Sequence, residues 1–335
     1  MTAPDSKYVR FRAYLLSKIR VRSPLGREIL SEFIGTFFLV TFAVASGAQY
    51  VLSRQELSSF LTVNLAGGVG LTFAVYWSCG PSGAVLNPSV TLAFCIEGRI
   101  PWWKYPFYAI TQVCAAFVAA AIQFGVYHDA INHYDGGVRQ TYGPQATAGI
   151  FSTFPQDYVS TTNCFFDQVF GTFILAGCIL AMTDKRHMFP SKGLLPIALG
   201  LIVFAIGTSF ALNCGYAINP ARDFGPRLFT VVAGWGIEPI SYRNYNWFWV
   251  PIVGPLVGAT VACFVYNIFI QAHWPPEDED ENDPVDDVEQ GKSMNRLSTI
   301  STVDNGAALE GLDNKGFSEE RFRGHRRDPV KTSRL

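Results

Sequence analysis

Two Asn-Pro dipeptides, Asn87-Pro88 and Asn219-Pro220, are the residues of this sequence best placed to do chemistry, together with Arg222 three positions after the second. Asparagine is a favoured helix N-cap, and proline fits the first helical position because its missing N–H has no partner to lose there. Each dipeptide therefore predicts a helix start, and each opens an apolar stretch (87–95 and 219–231) too short to cross a bilayer. Backbone that turns inside a membrane cannot face lipid, so these stretches must be enclosed by protein or line a wet cavity. The expected site is a pore. Side-chain N–H groups of Asn87 and Asn219 would donate to a passing oxygen while two helix N-termini make mid-pore positive. Cations are then repelled, and a proton wire is broken because central waters must turn their oxygens to the donors.

Arg222 is charged at membrane depth and should face that cavity as a selectivity filter, its guanidinium offering fixed donors to hydroxyl or carbonyl oxygens. The alternative is a buried arginine held by backbone carbonyls. Tyr216 supplies an aromatic wall or packs in the core. Asp223 and Arg227 suit a structural pair on the second half-helix, an acid in its first turn and a base later. Glu32, in an early apolar run, is expected to accept backbone N–H or hydroxyl donors and brace a re-entrant loop, and Gln168 to do the same without charge. Of the seven cysteines, Cys164 falls in a loop and the others in or beside apolar segments, without metal-ligand spacing. They read as packing residues, with Cys214 a candidate thiol at the pore.

The elements that must position these groups follow from composition. Only 16% of the 335 residues are charged, against roughly 25% in a soluble domain, and 49% are hydrophobic. Apolar runs near 29–50, 60–79, 105–127, 165–182, 193–213 and 247–270 predict six spans. The first and fourth share a pattern, Ser31-Glu32-Phe33-Ile34-Gly35-Thr36-Phe37 against Asp167-Gln168-Val169-Phe170-Gly171-Thr172-Phe173, and each is followed about fifty residues later by Asn-Pro. Three spans separate the copies, so the second half enters with opposite orientation. The expected fold is an all-α membrane protein of six transmembrane helices and two re-entrant half-helices in an inverted repeat, with disordered tails.

Lysine and arginine in the short loops place both termini in the cytoplasm: Arg99, Lys104, Lys185, Arg186 and Lys192 join the basic start, while the opposite loops carry Arg54, Arg139 and Arg243. Trp102, Trp103 and Trp274 on one side and Trp247 and Trp249 on the other suit interface anchors or packing. The chain divides into a basic N-terminal tail (1–27), a channel domain (28–274, with halves about 28–128 and 164–274 joined by the loop 129–163) and a tail (275–335). That tail, acidic at Glu277-Asp278-Glu279-Asp280-Glu281, reads as disordered, with Ser298 a candidate kinase target.

The run Gly215-Tyr216-Ala217-Ile218-Asn219-Pro220-Ala221-Arg222-Asp223-Phe224-Gly225-Pro226-Arg227 resembles the major intrinsic protein family, in its aquaglyceroporin branch, as does Ala146 to Pro155 in the long loop. The resemblance implies a channel for glycerol and other small neutral solutes, with water permeation, assembled as a homotetramer with one pore per subunit; a plasma-membrane location is expected. It places filter positions at Gly67 (beside Gly68), Gly207, Tyr216 and Arg222. Gly67 departs from the aromatic residue usual there. Around the first motif, Val85 stands where the family usually has His, and Ser89 where it usually has Ala. No cofactor, catalytic residue or nucleic-acid partner is expected. Competing readings are a water or hydrogen peroxide channel of the same fold, a coupled transporter using Glu32 as proton carrier, an intramembrane enzyme, for which no Ser/His pair or metal cluster is visible, and a non-conducting scaffold.

Overall fold

A computed structural model describes residues 7–187 and 190–275. Ser298 and the acidic run 277–281 lie outside the described residues. Eleven helices are described: α1 (Lys7–Ile19), α2 (Pro24–Leu52), α3 (Phe60–Ser82), α4 (Pro88–Ile96), α5 (Tyr105–Val126), α6 (His128–Asp135), α7 (Thr161–Thr183), α8 (Leu195–Phe210), α9 (Pro220–Thr230), α10 (Glu238–Tyr245) and α11 (Val250–Phe269). No strand occurs among these residues.

Local chemistry sets the starts. The Ser23 side chain accepts from Gly26 N and Pro24 opens α2, Ser59 and Thr62 form a reciprocal capping box at α3, and Ser160 caps α7. Among the described residues, five helices are long and apolar enough to cross a bilayer: α2, α3, α5, α7 and α11, the third and fifth with short extensions. The sixth expected span, 193–213, is shorter. Its helix α8 has 16 residues, about 24 Å at 1.5 Å per residue, because after Phe210 the chain turns and descends through Gly215–Ile218 toward the second Asn-Pro. The N-terminal segment also differs from expectation. Tyr8, Phe11, Leu15 and Ile19 recur at helical spacing, and 7–19 is helix α1 rather than disordered tail.

Packing follows the repeat. In the first half α2 lies against α3 and α5; in the second α7 lies against α8 and α11. The half-helices are exchanged: α4 packs on α11 of the other half and α9 on α5 of the first. The halves also meet where α3 crosses α8 at Gly68 and Gly200. A Cβ on Gly68 would lie 2.6 Å from the Gly200 carbonyl oxygen, and one on Gly200 would lie 2.5 Å from that of Gly68. Only glycine permits that approach.

One end of the bundle gathers polar contacts between elements. Lys104 Nζ pairs with Glu28 at 2.7 Å, Arg99 Nη1 donates to Thr183 Oγ1 at 2.5 Å, Asn267 and Gln271 donate to Glu97, and Tyr266 donates to Asp184. This N-terminal face also carries Trp274, against which Arg186 lies at 5.1 Å. Trp102 and Trp103 there are exposed. At the opposite end Trp247 is not an interface anchor: it is fully buried, and its Nε1 donates to the Thr153 carbonyl at 2.8 Å.

Candidate functional site

A lumen of about 470 Å³ runs through the bundle from Tyr50 and Phe60 at one end to Cys79, Thr183 and Lys192 at the N-terminal face. Its charged lining residues are Arg222 and Lys192, both cationic. Much of the wall is aliphatic, from Leu39, Leu71, Val75, Leu175, Leu199 and Val203.

At its centre the two half-helices start head to head. Asn87 caps α4 by accepting from Ser89 N at 2.8 Å, and Asn219 caps α9 by accepting from Ala221 N at 3.0 Å and Arg222 N at 3.3 Å. Their amide nitrogens then cross between halves. Asn87 Nδ2 donates to the Ile218 carbonyl and Asn219 Nδ2 to the Leu86 carbonyl, each at 2.9 Å. An amide NH2 has two protons, so each asparagine keeps one N–H beyond this reciprocal bond, and both residues line the lumen. Pro88, Pro220 and Ala221 are buried in the first turns.

The residues just before each motif carry the strain that aims these groups. Leu86 (φ 53) and Ile218 (φ 37) are left-handed although neither is glycine, a conformation that persists only when its surroundings impose it. Glu32 imposes it on the first segment. Its Oε1 accepts from Val85 N at 3.0 Å and its Oε2 from Leu86 N at 2.8 Å and Gln112 Nε2 at 2.8 Å. Gln168 serves the second segment, accepting from Ile218 N at 3.2 Å and donating to the Gly215 carbonyl at 2.9 Å. The N–H groups are thus drawn to the back of each segment. The carbonyls of Ala84, Val85, Tyr216 and Ala217, all in lumen-lining residues, meet no donor among the described residues.

Toward the far end the lumen passes Gly67, Tyr216 and Arg222. A Cβ on Gly67 would lie 3.4 Å from the Tyr216 hydroxyl, whereas one on Gly68 would strike Gly200 and Phe204, so Gly67 is the glycine that faces the lumen. Gly207 does not line it. A Cβ there would lie 2.7 Å from Tyr216 Cζ and would strike Asn64 Oδ1, so the space above Gly207 is taken by the Tyr216 ring. Arg222 Nη1 donates to the Phe151 carbonyl at 3.4 Å, leaving most of its five N–H groups without a protein partner among the described residues.

Behind Arg222, Asp223 and Arg227 are fully buried and paired at 2.7 Å. Asp223 Oδ2 accepts from Thr153 N at 2.7 Å and Thr153 Oγ1 at 2.6 Å, while Arg227 donates to the Thr153 and Pro239 carbonyls. The pair clamps the loop that presents the Phe151 carbonyl.

Some expected residues lie elsewhere. Cys214 is buried beside Cys164, whose carbonyl lies 3.9 Å from its sulfur. Cys164 belongs to the first turn of α7, not to a loop, because Ser160 starts that helix earlier than hydropathy places it. The exposed cysteine that lines the lumen is Cys79. Ser89 does not line it, its hydroxyl being buried without a partner, whereas Val85 does. Sequence reasoning missed Asn64. Its Nδ2 donates to the Phe60 carbonyl at 2.8 Å, while its Oδ1 is buried without a partner on the lumen wall beside Tyr216. A single amide within an apolar run, three residues before Gly67, was the available signal.

Comparison with known proteins agrees with this geometry. The chain is 44% identical over 298 residues to aquaporin-10 of Homo sapiens, covering 89% of this chain and 97% of that one. It is 43% identical over 261 residues to aquaporin-9 of Homo sapiens, covering 78% and 88%. It superposes on the X-ray structure of the aquaglyceroporin from Plasmodium falciparum with a TM-score of 0.67 at 30% identity, covering 73% of this chain and 97% of that one. The family profile described as Major intrinsic protein matches residues 20–266. The chain is a multi-pass integral membrane protein and belongs to the major intrinsic protein family.

Proposed function

We propose that the chain is a passive, bidirectional channel for glycerol and water that excludes ions and protons. The observation that carries this reading is the reciprocal pair at the constriction, Asn87 to Ile218 and Asn219 to Leu86, in a lumen whose charged lining residues are cationic. The free N–H of each asparagine and the converging helix N-termini orient a permeating oxygen and oppose cations. At the filter, Arg222 donates to solute hydroxyls while the Tyr216 ring faces the carbon side. The carbonyls of residues 84–85 and 216–217 supply acceptors along the path. The solute exchanges its water shell for these partners, and no bond is made or broken. The relatives fit that substrate class, since one superposable structure is that of an aquaglyceroporin.

Glu32 does not serve as a proton carrier in this reading, because both its oxygens are engaged behind the lumen. We further infer cytoplasmic termini from the loop charges, a plasma-membrane location, and four subunits with one pore each, to be checked by the mass of the detergent-solubilised assembly. Swelling of proteoliposomes in a glycerol gradient tests the main reading. Flux well above empty vesicles, never exceeding equilibrium and lost in Arg222→Ala at unchanged abundance, is expected. Absence of flux from assembled protein would overturn it, and accumulation driven by a proton gradient would replace it with a coupled transporter.

A further inference from the structure

We propose that Ser17, Arg20, Arg22 and Arg27 form a binding site for the phosphate-bearing headgroup of an anionic phospholipid. These four residues line a cleft of about 390 Å³ where α1 gives way to α2. The three arginines have no ion-pair partner among the described residues. The nearest acid in sequence, Glu28, is turned away and held by Lys104 and Tyr108. The first turn of α2 contains no acidic residue and carries Arg27 instead. A helix N-terminus favours negative charge, so an anion bound at this cation-rich start is favoured by both the helix and the arginines.

A second, independent feature selects a lipid over a soluble anion. Along α1, Tyr8, Phe11, Leu15 and Ile19 form one apolar face, and all four are exposed. No residue of α1 is buried; at 3.6-residue spacing Lys7 and Lys18 border this face, where long side chains reach the headgroup layer, and Arg10 and Ser17 lie opposite it. A basic helix of this kind lies in the interfacial plane with its apolar side against acyl chains. Its end then holds the arginine cleft at headgroup depth, just before α2 enters the membrane. Clusters of four to eight basic residues beside a span recognise anionic lipid. The acidic run 277–281 of the same chain offers charge but no apolar side chain to cover the α1 face. The leaflet concerned, but not the site, rests on the proposed cytoplasmic termini.

The test uses the full chain in nanodiscs of phosphatidylcholine alone, with phosphatidylserine, or with a phosphatidylinositol bisphosphate, counting retained lipids by native mass spectrometry. Anionic lipid should be retained over phosphatidylcholine. Arg20→Gln, Arg22→Gln and Arg27→Gln should each weaken retention about five-fold, more at low ionic strength, and Phe11→Ser with Leu15→Ser should weaken it as well. Unchanged retention in the triple arginine variant overturns the proposal. Equal affinity for soluble inositol trisphosphate, indifferent to the Phe11 and Leu15 changes, assigns the cleft to a free phosphate compound instead. A lipid preference that appears only after removal of 275–335 assigns the arginines to the acidic run. Glycerol flux of the same variants in phosphatidylcholine vesicles, expected unchanged, and antibody access to an N-terminal tag report the channel and its orientation separately. Either reading can therefore fail without the other.

Discussion

Each constriction asparagine divides its amide three ways: the oxygen caps a half-helix, one N–H crosses to the other half and one N–H remains for the lumen. Asparagine satisfies all three at this size, which is why the dipeptides were legible before any coordinates. The filter was less legible, because its shape depends on what fills the space above a glycine. Gly207 makes room for Tyr216 rather than for solute, and Gly67 leaves open the wall that faces the Tyr216 hydroxyl. Gly67→Phe is therefore expected to narrow the lumen between Tyr216 and Arg222 and to lower glycerol flux at least ten-fold more than water flux in stopped-flow vesicle assays. The thiol assignment changes for the same reason. Cys214 is near the motif in sequence but lies behind it, whereas Cys79 opens on the lumen at the N-terminal face. A membrane-impermeant mercurial added to that face should block wild-type flux and the Cys214→Ser variant alike, and leave Cys79→Ser conducting.

Among the elements, Glu32 and Gln168 were readable as braces from their matched places in the repeat. Replacing Glu32 by Ala leaves two buried N–H groups, Val85 and Leu86, without acceptors, at about 1–3 kcal/mol each. Glu32→Gln keeps one acceptor and should lie between wild type and Ala in thermal unfolding in detergent. Asp223→Ala breaks a fully buried ion pair, which costs about 3–5 kcal/mol, and frees Thr153. A lowered Tm together with a filter less selective for glycerol over larger polyols is expected, since the Phe151 carbonyl loses its clamp. Hydropathy was a weaker guide to element lengths. It places α8 too long, because Ala211 and Leu212 read as apolar even though the chain has already turned there. It also hides α1, whose alternation of Arg or Lys with Phe, Leu and Ile averages to neutral while repeating at helical spacing.

For the molecule as a whole, the inverted repeat was legible from two seven-residue segments and two dipeptides. The exchange of half-helices was not, because partner choice between helices depends on which small residues meet, as at Gly68 and Gly200. The lumen and its braces lie wholly within residues 28–274. A chain ended after Trp274 should consequently retain wild-type glycerol and water permeability per assembled molecule in vesicles, and loss of conduction would place a required element in the tail. The exchange also bears on biosynthesis. The first half reaches the bilayer with its Asn87 amide lacking the Ile218 carbonyl and its half-helix lacking α11, both of which emerge from the ribosome much later. The constriction is therefore completed late, once Ile218 and then α11 have joined the first half-helix.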